Sequence, residues 1–291
     1  MRLLLINGNT SQGATERCAA AARAIAQSGT LIVAVTAQRG ARVIGTRTEN
    51  ALAAASVVEL LAANAQGCDA ALIAVSMDAG LDAAREAAPF PVVGMTEAAL
   101  HAAAMLGGPI GFIGPVKRML NVYRETVART GLASRVAGYR ALPMQAKDFA
   151  EPSDVVEPIV RLAIDLIEHD HAESIVVAGA AVAGLVDRVQ ASVPVPVIDG
   201  IAAGVVMAEA LVRLRRPKPT AGSHALLPAR DVTGHGDAVT RLFGHAPNGR
   251  CTAPRRRGGP NRSADLEDEL AAQVATLAHA MRRRGVLQLV D

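Results

Sequence analysis

Residues 72–81 read LIAVSMDAGL, a short apolar run that ends in a loop carrying two groups able to handle a proton, Ser76 and Asp78. An aspartate withdrawn from water has its pKa raised and can serve as a base near neutral pH. A solvated or capping aspartate has no such role, and short polar side chains in loops commonly cap. Residues 7–11 read NGNTS and place Asn9, Thr10 and Ser11 between an apolar run and a helical pattern. There they can turn the chain, cap the helix and present backbone N–H groups to an anion, while ordinary turn-and-cap chemistry is the plainer account. Glu97 and His101 stand one helical turn apart. Glu97 suits a helix start through the dipole, and His101 titrates near neutral pH, although a helix-surface histidine with no role is the simpler account. Asp199, before a helical pattern at 200–214, most simply caps it. A second loop, 176–185, reads VVAGAAVAGL and repeats the shape of the first, yet nothing between Ala178 and Leu185 ionises.

The elements that must position these residues follow a strand–helix rhythm. Apolar runs at 2–6, 30–36, 70–75, 91–94, 109–114, 135–142, 173–179 and 194–199 read as strands. Helical patterns lie at 12–27, 49–65, 81–88, 96–106, 115–130, 153–169, 183–192 and 200–214. Continuous rather than alternating apolar strands imply sheets covered on both faces, which points to parallel α/β architecture. Aligning Gly80-Leu81 with Gly184-Leu185 gives an offset of 104 that pairs Leu72 with Val176, Val75 with Gly179 and Ser76 with Ala180. One residue later in register, PVVG at 91–94 meets PVID at 196–199. The expectation is two pseudo-symmetric α/β domains, each a mostly parallel sheet flanked by helices, with both loops facing one cleft at the carboxyl ends of the strands. Residues 1–97 with 200–245 would form one domain and 98–199 the other. The segment 215–262 is rich in Pro, Gly and Arg and reads as irregular. Residues 246–291 form an Arg-rich extension with a helical pattern at 264–284.

Composition narrows the function classes. The chain of 291 residues is 51% apolar but holds no Trp, two Tyr and four Phe, which disfavours aromatic stacking platforms for bases. From Arg241 onward there are nine arginines against five acids, so the formal charge of +3 resides in the tail and the body is slightly acidic. A basic tail without a recognised module does not make a nucleic-acid binder. Cys18, Cys68 and Cys251 share no close spacing, so no disulfide framework or metal site is expected and a reducing, cytoplasmic compartment is the default. No apolar run reaches the ~18 residues of a membrane span, and the start is too short for a signal-peptide core.

Taken together, LLLINGNTSQGATER, the stretch from DAALIAVSMDAGL to MLG, and AESIVVAGAAVAGLVDRV through IDGIAAGVV resemble the Asp/Glu/hydantoin racemase superfamily, and its hydantoin/allantoin racemase branch in particular. The resemblance runs over about residues 1–245. It implies a cofactor-independent isomerase acting on a small-molecule substrate, with no nucleic-acid or membrane partner and with self-association left open. It also implies two catalytic cysteines, one per half, that remove and return a proton on opposite faces of a carbanion. Here the first falls at Val75, or at Ser76 if the loop shifts by one, and the second at Gly179. Neither is cysteine, so two-thiol proton transfer is not available. Arylmalonate decarboxylases of the superfamily keep the second-half cysteine, which this chain also lacks. The family's Thr-Thr after the fifth strand is replaced by Gly114-Pro115, which weakens carboxylate binding there. Substrate-binding positions carried over by the resemblance are Asn9, Thr10, Ser11, Glu97, Gly179 and Ala180, with Ser76 and Asp78 as candidates to replace the thiols. A divergent racemase or isomerase, a catalytically silent binding or sensing protein, and a cysteine-independent decarboxylase are the competing expectations.

Overall fold

A computed structural model describes residues 1–143 and 155–244. The Arg-rich extension and its expected helix at 264–284 lie outside the described residues.

Among the described residues, eight strands form two four-stranded parallel sheets. In the first, β1 (Arg2–Asn7), β2 (Leu31–Thr36), β3 (Ala70–Ile73) and β4 (Val92–Gly94) lie in the order β2-β1-β3-β4. In the second, β5 (Ile110–Gly114), β6 (Val136–Ala141), β7 (Ser174–Val177) and β8 (Val197–Asp199) lie in the order β6-β5-β7-β8. The order is the same one, read twice. The register repeats too, since Ile73 pairs with Gly94 in one sheet and Val177 with Asp199 in the other. Those are the offsets at which the two loop sequences align.

Helices α1 (Gln12–Ile25), α2 (Arg47–Asn64), α3 (Leu81–Ala87), α4 (Met95–Leu106), α5 (Leu120–Arg129), α6 (Val156–Asp170), α7 (Val186–Gln190) and α8 (Gly200–Leu214) connect and cover the strands. The central strands β1, β3, β5 and β7 are buried along nearly their whole length, as two-sided cover requires. Helix α8 follows β8 but packs on the first sheet, where Ile201, Val205 and Ala208 join Leu3, Leu5 and Leu72 in one core. Helix α4 follows β4 and reaches the second sheet, with Ala99, Leu100 and Ala103 in a core that includes Phe112 and Val176. The two halves are therefore stitched by an exchange of helices. At the seam, a Cβ on Gly200 would lie 2.5 Å from the carbonyl oxygen of Met95, so only glycine lets the two helix starts approach this closely.

Several boundaries are shorter than the apolar pattern suggests. The last strand begins at Val197 because Pro194 and Pro196 have no N–H to give a ladder. The third strand stops at Ile73 rather than 75, since Asp78 takes part in turn and cap hydrogen bonds that bend the chain out of the sheet. The helix expected at 183–192 is confined to α7, and the one at 115–130 opens with a 3₁₀ turn at Lys117–Met119 before α5. Within the segment expected to be irregular, a short helix, α9 (Asp237–Phe243), forms and buries Val239. No helix among the described residues is long and apolar enough to cross a membrane.

Candidate functional site

A cleft of about 1520 Å³ opens at the carboxyl ends of β1, β2, β3, β5 and β7. Its wall includes Asn9, Thr10 and Ser11 after β1, residues 41–46 after β2, Val75 and Ser76 after β3, Pro115 to Arg118 after β5, and Gly179 and Ala180 after β7. The two loops that the sequence repeat aligns thus face one cavity, with the NGNTS loop beside them. This is where parallel sheets place ligands.

The NGNTS loop is fixed by its own polar groups. Asn7, buried at the end of β1, donates from Nδ2 to Asn9 Oδ1 at 2.9 Å and to Thr15 Oγ1 at 2.9 Å. Asn9 Oδ1 in turn accepts the Ser11 N–H at 2.9 Å, an Asx turn that sets up the helix start. Ser11 is the N-cap of α1 and accepts the Ala14 N–H at 3.3 Å. Gln12 and Gly13, the first two residues of α1, line the cleft with Arg17 one turn further on.

The first loop is held from behind. Asp78 is buried, sits at φ +51°, and accepts the N–H groups of Thr96 at 3.0 Å and Glu97 at 2.8 Å, one on each carboxylate oxygen. It caps α4 from a distance, because the α4 N-cap, Gly94, has no side chain to do so. Burial raises the Asp78 pKa to about 7, opposed by the two N–H groups it accepts. Thr96 Oγ1 donates to the Ser76 carbonyl at 2.6 Å, completing the brace. Ser76 Oγ shares a 2.7 Å hydrogen bond with the hydroxyl of Tyr123, a buried phenol whose pKa is driven up by desolvation.

Asp78 and Glu97 are not brought to the cleft. They border a separate hollow of about 360 Å³ behind the loop. Glu97 is taken up in a two-pronged pair with Arg85, at 2.7 and 3.3 Å, and half-exposed His101 stands 4.0 Å from it, also away from the cleft. Asp199 caps α8, accepting the N–H groups of Ile201 at 2.7 Å and Ala202 at 2.9 Å. Gly179 adopts φ +123°, a left-handed value that suits glycine and strains other residues. Val75 is buried in the central core while still bordering the cleft.

Neither described cysteine lines the cleft. Cys18 is fully buried, its thiol pushed up to about 12 by desolvation, with Sγ 3.9 Å from the Ala180 carbonyl oxygen it points toward. Cys68 lies before β3, its Sγ on the Asn64 carbonyl at 3.4 Å. Cys251 lies outside the described residues. Among the described residues no group of three or more His, Cys, Asp or Glu side chains could hold a metal ion. The ionisable groups on the cleft wall are Arg17, Arg42, Glu49, Lys117 and Arg118. None of these stands out in the sequence as a site residue. Arg17 does carry a signal, since it lies one turn beyond Gly13 on the same helix face. Lys117 and Arg118 carry none, because the Gly114-Pro115 step before them points only to a loss of carboxylate binding.

Comparison with known proteins agrees with this geometry. The family model for Asp/Glu/Hydantoin racemase matches residues 3–208. A hydantoin racemase from Pseudomonas sp. (strain NS671) is 34% identical over 216 residues, 74% of this chain and 87% of the relative. One from Paenarthrobacter aurescens is 33% identical over 227 residues, 77% of this chain and 96% of the relative. The solved allantoin racemase from Klebsiella pneumoniae superposes with a TM-score of 0.79 at 33% identity, covering 82% of this chain and 98% of its own.

Proposed function

The chain belongs to the Asp/Glu/hydantoin racemase family, and from that premise we propose that it binds a small carbonyl or carboxylate compound, of the hydantoin, allantoin or amino-acid type, without racemising it through two thiols. One observation carries the reading. Of the two positions that the repeat makes equivalent across the cleft, one is Val75 and the other Gly179. Inversion at a carbon needs a proton acceptor on one face and a donor on the other. A valine methyl and a glycine hydrogen do neither. Asp78, the carboxylate of suitable pKa, supports α4 and has both oxygens engaged.

A second reading has one observation in its favour. Ser76 borders the cleft, and its hydroxyl is hydrogen-bonded to Tyr123, a relay on one side only. One-sided protonation suffices for a decarboxylation, which needs a single proton delivered to the carbanion.

Incubation in deuterated water with hydantoins, allantoin, aspartate, glutamate and arylmalonates, followed by NMR, separates these readings. The expected result is ligand binding by saturation transfer without exchange of the Cα proton beyond the protein-free control. Loss of carbon dioxide from an arylmalonate would select the second reading. Exchange at enzyme-like rates from both enantiomers would overturn both.

A further inference from the structure

The cleft wall carries four cations and one acid. Arg17 and Arg42 belong to the side built on β1 and β2, and Lys117 and Arg118 to the segment after β5. None of the four forms an ion pair with another described residue. Glu49, the acid, is engaged at the start of α2, where it accepts the Gly45 N–H at 2.8 Å and its own N–H bonds Thr46 Oγ1 at 3.2 Å. The positive wall is not a reflection of overall charge, because residues 1–240 are slightly acidic in sum.

The corner at Arg17 is the most specific part. Arg17 Nε is buried with no hydrogen-bond partner among the described residues. A guanidinium nitrogen of Arg17 lies 3.6 Å from where a Cβ on Gly13 would sit, so the fork lies over the first turn of α1. The N–H groups of Gln12 and Gly13 in that turn have no intrahelical acceptor. A neutral hydantoin carbonyl meets the buried Arg17 Nε with charge on one side of the hydrogen bond only, whereas an anion supplies it on both sides, and such bonds are the stronger ones. A tetrahedral oxyanion, with three terminal oxygens, can accept from the helix start and the arginine fork together. The cleft volume, about 1520 Å³, exceeds the roughly 300–1,000 Å³ of ordinary small-ligand sites and leaves room for a second group to reach Lys117 and Arg118.

We propose that the cleft takes an organic phosphate bearing a second anionic group, the phosphate at Arg17 and the first turn of α1, the second group at Lys117 and Arg118. This rests on the reading of the cleft as a ligand site and names the class of its ligand.

The test is calorimetric titration of the full chain, in phosphate-free buffer at fixed ionic strength, with 2-phosphoglycolate, inorganic phosphate, glycolate and hydantoin. Phosphoglycolate binds tightest and inorganic phosphate next, with glycolate and hydantoin weaker than phosphoglycolate by about tenfold or more. Arg17→Gln weakens both phosphate probes by about tenfold, as loss of a charge-assisted bond predicts. The double variant Lys117→Gln with Arg118→Gln weakens phosphoglycolate and leaves inorganic phosphate within about twofold. Gly13→Ala is the second probe of the corner, since a methyl fits there in ordinary contact and alanine favours helix, so the fold is retained while the corner fills. Circular dichroism melts confirm that each variant is folded. Phosphate probes that bind no better than glycolate, or binding indifferent to both Arg17→Gln and Gly13→Ala, overturn the proposal. Binding of hydantoin without exchange, with phosphate ignored, sinks this inference and leaves the proposed function standing. Enzyme-like racemisation of hydantoin sinks the proposed function whatever the phosphate result.

Discussion

Asp78→Asn tests whether the buried carboxylate behind the first loop is a titrating support of the fold. In the native protein the Asp78 pKa is about 7, against 3.8 for an unperturbed aspartate, because burial outweighs the two N–H groups it accepts. The native state therefore binds this proton more tightly than the unfolded chain does. Its stabilising contribution is complete below pH 3.8 and is lost as pH rises through about 7. The full span corresponds to about 4 kcal/mol, of which about 2–3 kcal/mol falls between pH 5 and 8. The asparagine side chain does not titrate, keeps one oxygen for the Thr96 N–H, and turns its amide toward the Glu97 N–H or the reverse. Urea unfolding of both proteins at unit steps from pH 5 to 8 gives the difference in stability, in which every other titration cancels. That difference should move in favour of the Asp78→Asn variant by about 2–3 kcal/mol across the series, starting from a deficit of about 1–3 kcal/mol for the lost acceptor. A difference that stays flat within about 0.5 kcal/mol would refute the reasoning. The carboxylate would then remain ionised throughout, held by the helix start despite its burial.

Ser76→Ala leaves the buried Tyr123 hydroxyl without its partner and should cost about 1–3 kcal/mol in urea unfolding. If Ser76 also protonates a carbanion, the same variant abolishes carbon dioxide release from an arylmalonate, a readout that stability alone does not move. Gly200→Ala places a methyl 2.5 Å from the Met95 carbonyl oxygen, a backbone atom that cannot rotate aside, and should destabilise by at least about 1–3 kcal/mol in thermal or urea melts. A neutral Gly200→Ala would show that the α4–α8 seam is looser than its geometry. Val75→Cys and Gly179→Cys singly give at most exchange on one face, while the double variant gives measurable racemisation, followed by circular dichroism of an enantiopure hydantoin. The Gly179 change carries a strain of about 1–3 kcal/mol at φ +123°, so its melting temperature is measured alongside.

The sequence made the architecture legible because the fold writes its pattern twice. An offset of 104 between two loops became the same strand order and the same cross-strand pairing in two sheets. Even the glycines agree, since Gly80 and Gly184 both take left-handed φ, +73° and +78°. Strand ends were less legible, because they depend on where a proline or a cap interrupts the ladder rather than on where apolar residues stop. Short α9 was invisible among Gly and Pro, its buried residue Val239 being held by tertiary packing.

The candidate site divides along the same line. Asn9, Thr10, Ser11, Val75, Ser76, Gly179 and Ala180 border one cleft because each sits at the carboxyl end of a strand, and in parallel sheets those ends share one side. Asp78 and Glu97 border the separate hollow instead, because sequence fixes which loop a carboxylate occupies but not which way its Cα–Cβ bond leaves the chain. At φ +51° Asp78 turns back to cap α4, and Gly94 accepts that approach only because it has no Cβ, which would fall 2.5 Å from the Asp78 carboxyl carbon. The same logic locates the residues that the sequence did not reveal. Once the loops after β2 and β5 are known to share the cleft, Arg42, Lys117 and Arg118 must be considered with Arg17. Together they give the cleft a wall of positive charge with no ion-pair partner among the described residues. The two proposals, a cleft without two-thiol proton transfer and an anion as its ligand, therefore rest on different residues of one cavity, Val75 and Gly179 for the first and Arg17, Lys117 and Arg118 for the second.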